Sequence, residues 1–279
     1  GALLTERGFG ERGTLGDGSA AITGLLLGLT LPPGIPLWMS FLGGAFAIGL
    51  GKLIFGGLGQ NIFNPALLGR AFLQAAFPTA LTTWPALADR WTNVYASNLA
   101  LPLLSPGKVD VVTTATPLNL MKFEHQGTDL FHLAVGSTAG SLGETAGVLI
   151  LLCGAYLAWK GYLDWRIPVS ILATVAAFSG ILHAIDPTFP GPLFMLLSGG
   201  LVLGAVYMAT DMVTSPVTRK GAWIFGLGIG VLTVLIRVWG GLTEGVMYSI
   251  LFMNALVPFI DQVTRPAAFG ARTATREAR

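Results

Sequence analysis

The stretch GLLLGLTLPPGIP, residues 24–36, decides the fold. Its first half is apolar with glycines four apart, the spacing that lets helices approach closely in lipid. Its second half stops the helix, because Pro32 and Pro33 remove backbone donors and cannot continue the ladder. An apolar helix ending there falls short of the ~20 residues a spanning helix needs. Such a broken helix survives in a bilayer only where protein or a cavity covers its freed backbone groups. The same pattern returns as GLVLG at 200–204, and more of the chain follows it. Trp38 matches Trp223 and Lys52 matches Arg237, each pair 185 residues apart. GGLGQNIFNPAL (56–67) is similar to GGLTEGVMYSILFMNAL (240–256). The chain therefore holds two copies of one membrane unit.

Composition agrees. Hydrophobic residues make up 53% and charged residues 11%, with 38 glycines in 279 residues, against about a quarter charged in soluble domains. Eight apolar segments are expected near 19–32, 37–56, 64–79, 145–160, 167–185, 193–210, 221–239 and 245–260. Starting the first from the cytoplasm puts Lys160, Arg166, Arg219, Lys220, Arg265, Arg272, Arg276 and Arg279 inside, as positive-inside charge bias requires. The first repeat then enters from inside and the second from outside, an inverted repeat around a midplane site. The expected fold is an all-α polytopic membrane protein: an inverted-repeat helical bundle with broken helices and one long outer-face loop. Its parts are a cytoplasmic N-terminal segment 1–18, first-repeat helices 19–79, the outer loop 80–143, second-repeat helices 144–260 and a cytoplasmic tail 261–279. The start carries charges of both signs and no apolar core of a signal peptide. Two spans precede the second repeat and none precede the first, so a ten-span form with two further N-terminal helices is one expectation, and loss of those helices is the other.

Against that background, DVVTTATPLN (110–119) stands out as a threonine-rich polar run inside the outer loop. With DGSAAITGLLLGLTLPP, GGLGQNIFNPALLGRAF, GSLGET, MATDMVTSP and EGVMYSILFMNALVPFIDQVTRP, in that order from about residue 17 to 270, the chain resembles the RnfD/NqrB family. These are flavin-carrying membrane subunits of ion-translocating electron-transport complexes, and the spacing before DVVTTAT is nearer RnfD. The resemblance implies FMN joined through its phosphate to a threonine in a D-x-x-[ST]-x-A-T pattern. Here that pattern runs Asp110, Thr113, Ala115 and Thr116, and the acceptor falls on Thr116. A threonine hydroxyl can form a phosphoester, the small Ala115 lets a flavin transferase approach, and an outer-face loop is accessible to it. The resemblance also implies a non-covalent riboflavin and other subunits of the complex as partners; the expected location is the inner (cytoplasmic) membrane, with the flavin loop on the outer face where the charge pattern puts it.

Further candidates carry two readings each. In Gly140–Thr145, Ser141 and Glu144 either cap a helix start or lie beside the flavin. Lys52, Arg70, Asp211 and Arg237 sit in or beside apolar segments, where an unpaired charge costs at least ~2.5 kcal/mol. Lys52 and Arg237 end their spans and are expected to snorkel to the interface. Lys52 and Asp211 are the ion-path candidates, although Asp211 can equally cap the turn that follows it. The histidines (His125, His132, His183) and the single Cys153 form no metal-ligand set. The tryptophans gather at span ends as an interfacial belt facing membrane lipid, not as a nucleic-acid surface. The expected function is a redox subunit, not catalytic alone, relaying electrons through FMN on Thr116, coupled to Na⁺ or H⁺ movement. An inverted-repeat transporter or channel without covalent flavin is the alternative, and a passive scaffold the third.

Overall fold

The computed structural model describes residues 1–9, 14–85, 95–102, 115–124, 127–136 and 138–266. Within them the chain is a helical bundle. A short helix, α1 (Ala2–Phe9), is followed by α2 (Ser19–Leu29), α3 (Leu37–Gly49), α4 (Pro65–Ala76) and α5 (Pro78–Thr82). The segment around Thr116 forms α6 (Pro117–Asn119), which continues as a π turn over Leu120–Glu124, and α7 (Leu130–Val135) follows. The second half comprises α8 (Gly147–Trp159), α9 (Arg166–Ile185), α10 (Pro192–Leu197), α11 (Leu201–Leu203, continuing as the π-helical Gly204–Met208), α12 (Arg219–Trp239) and α13 (Val246–Thr264). Among the described residues, the helical stretches Leu37–Phe55, Arg166–Ile185, Arg219–Trp239 and Val246–Thr264 are long and apolar enough to span a membrane. The helices Ser19–Leu29 and Gly147–Trp159 are apolar but shorter. On α8, Leu149, Leu152, Tyr156 and Trp159 are exposed, a surface suited to lipid and not to water.

All eight apolar segments are helical. The first breaks where its prolines predict, and a second break falls inside a segment expected to be continuous. Helix α2 stops at Thr30, before the prolines. Its free carbonyls are met by backbone from the loop ahead of α8: Gly143 N–H donates to Leu29 O (2.8 Å) and Leu142 N–H to Leu31 O (3.3 Å). The segment expected at 193–210 parts at Ser198–Gly200, where Gly199 adopts a left-handed φ of 65° between α10 and α11. Close packing through small residues joins α9 to α12: a Cβ on Gly226 would stand 2.6 Å from that of Ser170.

Hydrogen bonds sort the loops into two ends. At one, Ser97 and Asn98 bond the carbonyls of Pro33, Gly34 and Ile35. The same end receives Lys122, whose Nζ donates to Ile236 O (3.4 Å), Gly240 O (2.5 Å) and Leu242 O (2.9 Å), closing the C-terminus of α12. At the other, Val217 N–H donates to Asp261, Thr218 meets Thr264, and Trp165 packs edge-on against Trp223. That end gathers Lys160, Arg166, Arg219, Lys220 and Arg265, the basic residues that the charge pattern puts together. Because α3 leaves the first end and α12 enters it, the repeat-matched cations Lys52 and Arg237 lie at opposite ends of the bundle.

Neither cation snorkels, contrary to expectation. Lys52 is 2% exposed, and its Nζ donates to both oxygens of Glu6 (2.9 and 3.1 Å) and to Ser19 Oγ (2.6 Å). Arg237 is 4% exposed and donates to Met195 O (2.6 Å) and Ser198 O (3.0 Å). Each has an internal acceptor within reach, which removes the reason to extend toward water. Ser19 and Met195 stand 176 residues apart, the same offset as Gly24 and Gly200. The two cations therefore grip matching positions, one in each repeat. Helix α1, which the sequence places ahead of the first span, packs into the bundle through Ala2 and the buried Glu6.

The repeats also touch directly. Asn64 caps α4, its side chain accepting from Ala66 N–H (3.0 Å) and Leu67 N–H (3.2 Å), while its Nδ2 donates to Met208 O (3.1 Å) at the end of α11. With its amide oriented to satisfy both ends, Asn254 of α13 donates to Thr214 O (3.2 Å) and accepts from Asn64 N–H (3.1 Å). Losing a cap costs about 0.5–2 kcal/mol, and a buried carbonyl left without its donor adds to that. Asn64→Ala is expected to lower stability by about 2 kcal/mol in a detergent unfolding titration. A change below about 0.5 kcal/mol would show that this contact does not hold the repeats together.

Candidate functional site

The segment after the threonine run is held by its own turn. Thr116 has extended backbone (φ −69°, ψ 155°) and is the N-cap of α6, its Oγ1 accepting weakly from Asn119 N–H (3.3 Å). Pro117 and Leu118 are buried just behind it, and Lys122 fastens the next turn to the end of α12. Ala115 is exposed and Thr116 half-buried. The hydroxyl is thus fixed in place, and among the described residues its proton is given to no protein acceptor. Asp110 and Thr113, the other members of the pattern, lie outside the described residues.

Two neighbouring cavities share Thr116, Trp84 and Glu244 as walls. The smaller, of about 30 Å³, reaches Gly140, Glu144 and Gly199. The larger, of about 270 Å³, is bounded by Arg70, Gln74, Asn119, Phe123 and Tyr248. Beneath both lies a buried ionic cluster. Arg70 of α4 donates to Glu144 Oε1 (2.6 Å) and to Glu244 Oε2 (2.9 Å). Ser141 Oγ donates to Glu144 Oε2 (2.6 Å), and Gly200 N–H donates to Glu244 Oε1 (3.0 Å). Backbone comes close enough here to exclude side chains: a Cβ on Gly200 would stand 2.5 Å from Glu144 Oε1. The cluster joins the first repeat, the loop ahead of α8 and the second repeat at one guanidinium.

Ser141 and Glu144 are therefore brought to the site, but not as a helix cap. Residues 138–146 form a loop, α8 begins at Gly147, and Glu144 turns inward to Arg70 because a charge-assisted pair outweighs a terminal N–H bond. Glu244 escaped notice in the sequence, where it stands in a glycine-rich turn between two spans. The signal for it was Arg70: a cation in the middle of an apolar helix requires a carboxylate partner. Asp211 and Lys52 lie elsewhere. Asp211 accepts from Val213 N–H (3.2 Å) and Thr214 Oγ1 (3.3 Å), capping the turn after α11. Burial pushes its carboxyl up, and those two hydrogen bonds oppose the shift. No group of three or more metal-ligating side chains occurs among the described residues.

A family model described as NQR2, RnfD, RnfE matches residues 4–270. The chain belongs to that family. Among its relatives, one subunit of the proton-translocating ferredoxin:NAD(+) oxidoreductase complex of Clostridium ljungdahlii is 46% identical over 270 residues, covering 93% of this chain and 76% of the relative. The corresponding subunit of an ion-translocating oxidoreductase complex from Stutzerimonas stutzeri is 44% identical, covering 91% and 76%. Its counterpart in the Na(+)-translocating ferredoxin:NAD(+) oxidoreductase complex of Acetobacterium woodii is 41% identical, covering 95% and 77%. The family and the apolar helices together make this a multi-pass membrane protein.

Proposed function

We propose that this chain is the membrane redox subunit of an ion-translocating ferredoxin:NAD⁺ oxidoreductase complex, with FMN linked through its phosphate to Thr116. When bound, FMN supplies one- and two-electron transfer, and the protein supplies attachment, orientation and electrostatics. The observation that carries the reading is the half-buried Thr116 hydroxyl, fixed by its turn at the junction of two cavities. The residues present fit such a group. Thr116 Oγ1 is free to form the phosphoester, and exposed Ala115 leaves it open to a transferase. Trp84 and Tyr248 offer flat apolar walls to a ring system, while Gln74, Asn119 and Arg70 offer hydrogen bonds to its polar edge. The larger cavity is close to the ~300 Å³ lower end of ligand sites. A non-covalent riboflavin, implied by the resemblance, remains part of the proposal without an assigned position.

The partners proposed are the other subunits of the complex, a flavin transferase and the surrounding lipid. In-gel fluorescence tests the central reading: a covalent flavin gives a band under ultraviolet light after denaturing electrophoresis, and a channel or scaffold gives a dark one.

For sidedness, the inner membrane is proposed, with both termini cytoplasmic and Thr116 on the outer face. The support is the charge pattern together with the grouping of basic residues at the end opposite Lys122. Ser97→Cys in a Cys153→Ala background is expected to react with a membrane-impermeant thiol reagent in intact cells. Reaction only after permeabilisation would reverse the orientation.

Asp211 and Lys52 are kept as ion-path candidates, Asp211 because its half-buried carboxyl follows the π turn of α11. Asp211→Asn is expected to impair coupled electron transfer while leaving the Thr116 adduct intact. Unchanged ion coupling in reconstituted vesicles would leave Asp211 with its turn-capping role alone.

A further inference from the structure

A third cavity, of about 130 Å³, lies on the Thr116 side of the bundle and is separate from the two that Thr116 lines. Its walls come from α6 (Leu118) and the π turn after it (Met121, Lys122), from the 188–190 loop, and from α10 and α12 (Phe194, Arg237, Val238). Apolar side chains form most of it, and both of its charged groups are cations. Among the described residues no carboxylate lines it.

Arg237 makes the cavity more than a packing defect. Its guanidinium is almost completely buried, yet it has no ion pair within 4 Å among the described residues. Two of its nitrogens reach backbone carbonyls, and Nε reaches nothing. Glu244, across Gly199 from Arg237, is already held by Arg70 and Gly200 N–H. Among the described residues the other unpartnered buried side-chain polar atoms are Ser198 Oγ and Thr233 Oγ1. Ser198 supplies one of the carbonyls that Arg237 grips, and Thr233 precedes Arg237 by one turn of α12. Ser198 Oγ and Thr233 Oγ1 thus stand unsatisfied near a guanidinium whose own Nε has no partner among the described residues, with Glu244 and Glu144 acting on it only at a distance, and native proteins ordinarily supply such groups with a partner.

We propose that this cavity binds a compact apolar group bearing an anionic oxygen, seated with its oxygen toward Arg237 and its body against Phe194, Met121 and Val238. The volume is near that of engineered cavities that accept a benzene ring, so the body is about the size of one ring or a few methylenes. Such a ligand can come from the bilayer, as an anionic lipid, or from solution, as a small aromatic or aliphatic acid. The chemistry is the same for both. Lys122 contributes positive potential at the mouth while its own donors remain on the end of α12. The site therefore also ties the Thr116 segment to α12 through whatever occupies it.

The test uses the full chain in its purified complex, placed in phosphatidylcholine nanodiscs and titrated with 4-fluorobenzoate by ¹⁹F NMR. A second arm adds phosphatidylglycerol and follows retained lipid by native mass spectrometry. Saturable benzoate binding is expected, with 4-fluorobenzylamine showing none. Affinity is expected to fall about tenfold or more in Arg237→Gln, the scale of one lost charge-assisted hydrogen bond. Val238→Phe, which fills the cavity and leaves every charge in place, is expected to fall as far, and guards against a misfolded Arg237 variant. If the natural source is the bilayer, phosphatidylglycerol competes with benzoate and is retained by the wild type but not by Val238→Phe. If the source is free acid, added phosphatidylglycerol changes nothing. Absence of both saturable benzoate binding and retained anionic lipid would overturn the proposal. So would equal binding by the wild type and Val238→Phe, or equal binding of the amine.

Discussion

Thr116→Ala is expected to abolish the ultraviolet-fluorescent band of the denatured protein and to reduce electron flow through the complex steeply, while the fold survives. The reasoning is local. Thr116 Oγ1 makes one long hydrogen bond, to Asn119 N–H at 3.3 Å, and the residue is half-exposed. Losing a cap of that quality costs at the low end of the ~0.5–2 kcal/mol range for N-caps. Pro117, Leu118 and Lys122 continue to hold the segment. Thr116→Ser, which keeps the hydroxyl, is expected to retain part of the adduct. Without the linked flavin, one redox stop is missing and the remaining gap is too long for efficient transfer. A Thr116→Ala protein that keeps its fluorescence would move the attachment elsewhere, Thr113 and Thr114 being the other threonines of the same run. A variant that unfolds would show instead that the cap is structural.

The second large effect is expected at Arg70. Arg70→Met removes the guanidinium shared by Glu144 and Glu244 and leaves the buried Glu144 carboxylate facing the half-buried one of Glu244. Breaking a buried pair from one side costs about 3–5 kcal/mol, because the stranded charge cannot be solvated. The protein is expected to lose that much stability and to lose the geometry of the larger Thr116 cavity, since Arg70 and Glu244 line it. The triple variant Arg70→Met, Glu144→Gln, Glu244→Gln is expected to recover most of the stability, because removing all the charges together removes the unpaired ones. Recovery of stability without recovery of electron transfer would show that the cluster's charge serves function. If Arg70→Met alone changes stability by less than about 1 kcal/mol, water reaches the cluster and solvates the stranded carboxylates.

Much of this architecture could be read from the sequence. The apolar segments, the break at the prolines and the matching of Lys52 with Arg237 all follow from local chemistry, whereas the break at Ser198–Gly200 does not. Proline ends helices, long apolar runs avoid water, and a repeat copies its charges. The fate of those charges could not be read locally. Lys52 and Arg237 end their spans, and a span end in lipid ordinarily lets a cation reach water. What holds them inside is Glu6 on one side and the carbonyls of Met195 and Ser198 on the other, acceptors supplied by tertiary packing. Ser141 and Glu144 show the same limit. Their spacing fits a helix cap, and only the position of Arg70, 74 residues away along the chain, turns Glu144 inward. Glu244 carried the weakest signal of all, a single acid in a glycine turn, yet it bridges both repeats.

The account stands or falls on the mass of one peptide. The protein is to be purified with its partner subunits from cells holding the flavin transferase, denatured, digested, and the peptide containing Thr116 fragmented in a mass spectrometer. The account predicts that this peptide gains the mass of FMN less one water, that fragmentation places the gain on Thr116, and that cells without the transferase yield the bare peptide. A bare peptide from the complete system, or the same gain in Thr116→Ala, would contradict it and leave this member of the family without a flavin on that threonine.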